Sequence, residues 1–287
     1  MSKYVIITDS SADLVPEILN HPDVHYIQLD VIVEGEEARE NCDVDSKEFY
    51  AKLRTKKNAT TSAASLDKFI KPMESFLADG ADILYVGFSS GLSSTYNAGF
   101  VAAQELSEKY PDRKIYTVDT LAASLGEGLL VYLAAKMMDG GADIDTVRDW
   151  LEANKLNMAH WFTVDDLFFL KRGGRVSAAT AIVGSMLSIK PVMHMDNEGK
   201  LIKVTTARGR KASIDALFDK MKETAIEPAK QVVFISHGDA LEDAEYLADR
   251  IKKELGVEDV KIGYVGPVIG AHSGPGTIAL FFLATER

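Results

Sequence analysis

Hydroxyl side chains gather at three points along this chain, and each follows or lies beside a short apolar run. Asp9-Ser10-Ser11 closes the first run, Thr60-Thr61-Ser62 follows a basic loop, and Ser89, Ser90, Ser93, Ser94 and Thr95 follow Ile83–Val86. Hydroxyls in such numbers suit the binding of an anion, above all a carboxylate, which accepts hydrogen bonds and makes none. The third cluster is the densest. A strand released through Gly87 and Gly91 would deliver its five hydroxyls to the carboxyl edge of a sheet, where open α/β sheets hold their ligands. Ser93 or Ser94 would cap a helix whose inner face reads Tyr96, Gly99, Phe100, Ala103, Leu106 and Tyr110, so free backbone N–H groups join the hydroxyls. Each cluster taken singly also reads as a helix cap or turn, because Ser, Thr and Asp favour both for local hydrogen-bonding reasons.

A second chemistry fits the same stretch. Gly87-Phe88-Ser89-Ser90-Gly91 matches the Gly-x-Ser-x-Gly nucleophile elbow, which would make Ser89 the nucleophile of a serine hydrolase, with Asp239 or Asp259 and then His272 completing a triad in chain order. His272 itself stands among four glycines and two prolines in Gly266–Thr277, a loop where backbone must approach something closely; there it could donate to a carboxylate. Basic islands at Leu170–Ser177 and Lys203–Lys211, the latter with Arg208, Arg210 and Lys211, interrupt an acidic chain and offer guanidinium groups to an anion. There is no phosphate-binding loop of the Gly-x-x-x-x-Gly-Lys-Ser/Thr kind and no dinucleotide fingerprint. Asp9 also lacks the second aspartate, two residues on, of an aspartyl-phosphate phosphatase.

The elements that must position these residues alternate. Strands are expected at Tyr4–Thr8, Ile27–Val33, Ile83–Phe88 and Lys114–Val118, with helical faces between them at Leu66–Leu77 and Ala122–Met137. This is the pattern of a mainly parallel sheet covered on both faces. Ile27–Val33 runs into the polar turn Glu34-Gly35-Glu36 and predicts a hairpin. Gly126 and Gly128 sit inside an otherwise strong helix at about 1 kcal/mol each relative to alanine, so a neighbour must come close there. After a helix at Ile144–Leu156 the pattern changes: a strand at His160–Val164, a glycine-arginine turn, a helix, then two strands joined by Asp196-Asn197-Glu198-Gly199. The expected architecture is α/β, with an N-terminal three-layer domain over residues 1–159 carrying the hydroxyl loops and a C-terminal domain with a mixed sheet over residues 160–287.

With 287 residues, 46% hydrophobic and 26% charged, the chain can form two separate cores. A net charge of −11 argues against nucleic acid as partner and gives no attraction to anionic membranes. The lone Cys42 excludes an intramolecular disulfide and a cysteine-based zinc site, and is expected as a small, at least half-buried thiol. No metal site and no membrane insertion are expected. The strand beginning at Tyr4 leaves no room for an apolar leader segment, so the reading is a cytoplasmic protein.

Taken together, TDSSADL at 8–14, TTSAAS at 60–65, SSGLSSTY at 89–96, VDT at 118–120, LKRGGRVS at 170–177, IKPV at 189–192 and VIGAHSGPGT at 268–277 closely resemble the DegV family over essentially the whole chain. Its characterised members include the fatty-acid-binding subunits of bacterial fatty acid kinase. The resemblance implies a long-chain fatty acid held between two α/β domains, its tail in the C-terminal core and its carboxylate on Thr61, Ser62, Ser93 and His272. It further implies that Arg208 and His272 present that carboxylate to a separate ATP-dependent kinase, giving an acyl phosphate for phospholipid synthesis. On this reading the chain is a lipid-binding subunit, without a catalytic residue or cofactor of its own. Two departures bear on acyl selectivity: Ala63-Ala64 stands where the family usually has Gln-Pro, and Ser94 where it usually has glycine. The serine hydrolase and a carrier for some other amphipathic acid are the alternatives.

Overall fold

The computed structural model describes residues 3–55, 57–177 and 188–287. Four strands form a wholly parallel sheet in the order β2-β1-β6-β7: β1 (Tyr4–Asp9), β2 (Val24–Ile27), β6 (Asp82–Gly87) and β7 (Ile115–Asp119). Every residue of β1 and β6 is buried, as sheets covered on both faces require. Helices α3 (Leu66–Ala78) and α4 (Thr95–Lys109) contribute Phe69, Met73, Leu77 and Leu106 to one face. Helices α5 (Leu125–Asp139) and α6 (Ile144–Asn154) cover the other.

A second, mixed sheet has the order β10-β9-β8-β13-β11-β12, with β8 (Met158–Thr163), β9 (Ile189–Met195), β10 (Leu201–Arg208), β11 (Val233–His237), β12 (Val260–Tyr264) and β13 (Ile278–Leu283). Only β11 and β12 pair in parallel. Helices α8 (Arg210–Thr224) and α9 (Leu241–Leu255) pack on its outer face through Leu217, Phe218, Leu247 and Ile251. Its inner face meets α5. That helix is apolar on nearly all sides because it lies between the two sheets, touching β1 and β6 on one side and β8, β11 and β13 on the other. The single face expected from its sequence is therefore only half of what it buries.

The expected hairpins at Glu34-Gly35-Glu36 and Asp196–Gly199 form, the latter joining β9 to β10. The expected strand Ile27–Val33 is instead two, β2 and β3 (Asp30–Val33), because Ser10 Oγ takes the backbone N–H of Leu29 at 2.9 Å between them. β3 joins a small antiparallel sheet, β4-β3-β5, with β4 (Arg39–Glu40) and β5 (Ala59–Ser62). Sequence reasoning did not foresee that sheet. Phe100 is exposed rather than on the inner face of α4, where Ala102 takes its place, and Cys42 is exposed rather than half-buried. The helix expected after the glycine-arginine turn lies outside the described residues.

Candidate functional site

A cavity of about 420 Å³ opens between the two sheets. That volume lies within the range of small-molecule sites. Its walls come from both halves of the chain: Leu29, Phe88, Leu92 and Ala123 from the first, Phe162, Leu170, Met195 and Phe281 from the second.

Of the sequence-predicted residues, Thr61, Ser62, Ser93 and His272 all line this cavity. Thr61 and Ser62 stand on β5, which packs against the short helix α10 (Pro267–Ser273), and His272 lies at that helix's C-terminal end. Thr61 Oγ1 and His272 Nε2 are 2.7 Å apart. Ser93 Oγ accepts the backbone N–H of Thr95 at 3.2 Å and lies 2.9 Å from Thr95 Oγ1, which in turn accepts from Ala64 N. So α4 is capped by Ser93, while Ser94, at the cap position, makes no capping bond.

The imidazole of His272 is driven down to about 4, first by burial and then by the Arg175 and Arg172 guanidinium groups. It is neutral at pH 7, and its Nδ1 has no partner among the described residues. Any positive charge at this end must come from elsewhere. Arg175, which the sequence placed in a basic island but not in the site, lines the cavity and donates to the carbonyl oxygen of Leu92 at 3.1 and 3.2 Å. Burial lowers its pKa, the mark of a cation short of solvation. Arg208, by contrast, is exposed at the end of the edge strand β10 and is not among the cavity's lining residues.

The first hydroxyl cluster does not join the cradle. Asp9 Oδ2 accepts the backbone N–H of Phe88 at 3.0 Å and the hydroxyl of Tyr85 at 3.3 Å, which closes the crevice between β1 and β6 where the parallel sheet would otherwise take a ligand. Ser11 Oγ donates within a network that includes Asp9 and Glu127, while Thr8 Oγ1 donates to Glu127 at 3.1 Å. Burial raises the pKa of Asp9 and, well above the usual range, that of Glu127. Glu127 left no signal in sequence beyond an acid on an apolar helix face. Gly126 and Gly128 are explained by close neighbours: a Cβ on Gly126 would clash with the His160 ring, and one on Gly128 with the carbonyl oxygen of Ala12.

The hydrolase triad is not assembled. Ser89 Oγ is buried and donates to the carbonyl oxygen of Gly199 at 2.8 Å, Asp239 pairs with Arg54, and Asp259 with Lys261. The helix begins only at Thr95, six residues after Ser89 (95 − 89), so the sharp strand-to-helix elbow is missing. No helix among the described residues is long and apolar enough to cross a membrane.

Comparison with known proteins agrees with this architecture. A DegV-domain-containing protein of Clostridium perfringens is 45% identical, across 100% of this chain and 99% of that one. A DegV lipid-binding protein of Thermotoga maritima superposes with a TM-score of 0.86 at 30% identity, covering 99% of both chains. A DegV family protein of Thermus thermophilus, described for its fatty acid binding, gives 0.86 at 28% identity, with 98% and 99% covered. A family model described as an uncharacterised protein of the DegV family matches residues 3–285, and the chain therefore belongs to the DegV family.

Proposed function

We propose that this protein binds one long-chain fatty acid in the cavity and presents its carboxylate to a separate ATP-dependent kinase, which forms the acyl phosphate. The observation that carries the reading is a cavity between two sheets with hydroxyls and a neutral histidine at one end and apolar walls beyond. The solved relatives from Thermotoga and Thermus, described as lipid and fatty acid binders, support it. Thr61, Ser62, Ser93 and His272 hold the head group, and Arg175 supplies its countercharge. In this reading the chain divides into domains 1–159 and 160–287 with the acid between them, and works in the cytoplasm as a binding subunit for phospholipid synthesis. Arg208, exposed outside the cavity, acts with His272 toward the kinase.

The energetics divide by region. About sixteen carbons at roughly 0.8 kcal/mol per methylene offer on the order of 10 kcal/mol, so the tail holds the ligand. Each charge-assisted hydrogen bond adds only about 1.5–3 kcal/mol, so the head group sets orientation and rejects ligands without an acid. Native mass spectrometry of protein purified without added ligand, followed by identification of what denaturation releases, tests the reading. A fatty acid at near one per chain is expected. An empty protein that also refuses added fatty acid would overturn it.

A further inference from the structure

The cavity runs along α10. Val265, Val268, Ile269 and His272 line it in succession, and six residues (272 − 266) separate His272 from Gly266 at the helix's other end. At about 1.5 Å per helical residue that is roughly 9 Å. At the Gly266 end stand two more hydroxyls that the head group does not use. Ser124 and Ser236 both line the cavity and both are buried. Ser124 comes from the N-terminal end of α5 and Ser236 from β11, so the two sheets meet here.

These hydroxyls form a short relay with Asp13. Ser124 Oγ donates to Asp13 Oδ2 at 2.6 Å and lies 3.2 Å from Ser236 Oγ. Ser124 Oγ has one proton for the two contacts, and the Ser236 hydroxyl, which makes only this bond, keeps bonding capacity without a partner among the described residues. Both Asp13 and Ser124 are held in left-handed backbone conformations, with φ of 50° and 53°, which side chains other than glycine seldom adopt. Strain of this kind persists where the surrounding structure fixes a particular geometry. The relay also forms a wall, because Asp13 lines a second cavity on its far side.

We propose that the binding cavity is polar at both ends and is built for an acid carrying a hydroxyl on its chain roughly 9 Å from the carboxylate, which hydrogen-bonds to Ser236. This rests on the fatty-acid reading above and narrows its substrate class. An unsubstituted chain would leave this bonding capacity of Ser236 unused. A terminal hydroxyl in an apolar pocket, by contrast, would lose its water and gain nothing.

The test is competition binding on delipidated protein, using straight-chain acids across a range of lengths and their ω-hydroxy counterparts. An apolar end would penalise the hydroxyl by about five- to 150-fold at every length, the cost of burying an unpartnered polar group. The polar end predicts that at one length the hydroxy acid binds as well as its parent or up to about tenfold more tightly. Ser236→Ala should then turn that ratio against the hydroxy acid. A penalty at every length, or a ratio that Ser236→Ala leaves unmoved, overturns the inference while the carboxylate site stands. Failure of every acid to bind would instead overturn the fatty-acid reading on which the inference rests. The wild-type series decides the question even if the variant does not fold.

Discussion

Thr61, Ser93 and His272 at the cavity and Thr8, Ser11 and Glu127 beneath the first turn are made from similar chemistry, hydroxyls gathered round one titratable group, yet they do opposite things. In the buried cluster the hydroxyls point at the acids, and Asp9 and Glu127 take up their bonds. At the cavity the hydroxyls have at most a partner or two each, His272 keeps a nitrogen without one among the described residues, and both line the cavity. A saturated polar cluster can only hold the fold together. An unsaturated one beside a cavity has bonding capacity left for a ligand.

The widest separation between the two regions is expected from Thr61→Ala combined with Ser93→Ala. Two lost charge-assisted bonds weaken fatty acid binding by about 100-fold or more, with the fold intact and stability lowered by about 1–2 kcal/mol for the lost α4 cap. Titration calorimetry beside a melting curve reads both, and unchanged affinity in the double variant would remove these residues from the site. Gly128→Ala should act in the opposite sense. Its methyl group would press on the Ala12 carbonyl oxygen, a backbone atom that cannot swing away, at a cost of about 1–3 kcal/mol in denaturant unfolding.

Ser11→Ala removes the hydroxyl that bridges the two acids of the sealed cluster and should cost about 1–3 kcal/mol of stability without altering ligand affinity. A loss of affinity there would mean that the two clusters are coupled.

The effect at Asp13 depends on pH. Burial, partly offset by the Ser124 hydrogen bond, raises its pKa from 3.8 to about 7. Between those values the folded protein holds a proton that the unfolded chain releases, so this group's contribution to stability falls as pH rises from about 4 to about 7. Asp13→Asn has no such titration. It should match the wild type near pH 4 and gain on it by up to about 4 kcal/mol at pH 8, read from urea midpoints across the range. His272, pushed from 6.5 down to about 4, works in the opposite direction: its contribution is complete above pH 6.5 and is lost as pH falls toward 4. Comparing the variant with the wild type at each pH separates the two.

Much of this was legible locally. Strands that must be buried on both faces show as unbroken apolar runs, so Tyr4–Thr8 and Ile83–Phe88 stood out, and the glycines of α5 announced close neighbours before the neighbours were known. Four of the hydroxyl and histidine residues expected at a site do share one cavity. What the sequence by itself determined, then, is the order of elements, the types of residue at each strand end and the family to which the motifs belong, because periodicity, turn chemistry and capping act over a few residues.

Only the tertiary structure decided which hydroxyls face a ligand. Asp9-Ser10-Ser11 and Thr60-Thr61-Ser62 look alike in sequence; one turned inward because Glu127, more than a hundred residues on, sits opposite it in the packed helix, and the other outward because β5 left the parallel sheet for a small one of its own. The place of Arg175 at the cavity and the Ser124–Ser236 pair were invisible for the same reason. Their partners come from distant strands and helices, and a contact between residues far apart in the chain exists only once the two sheets have closed on α5.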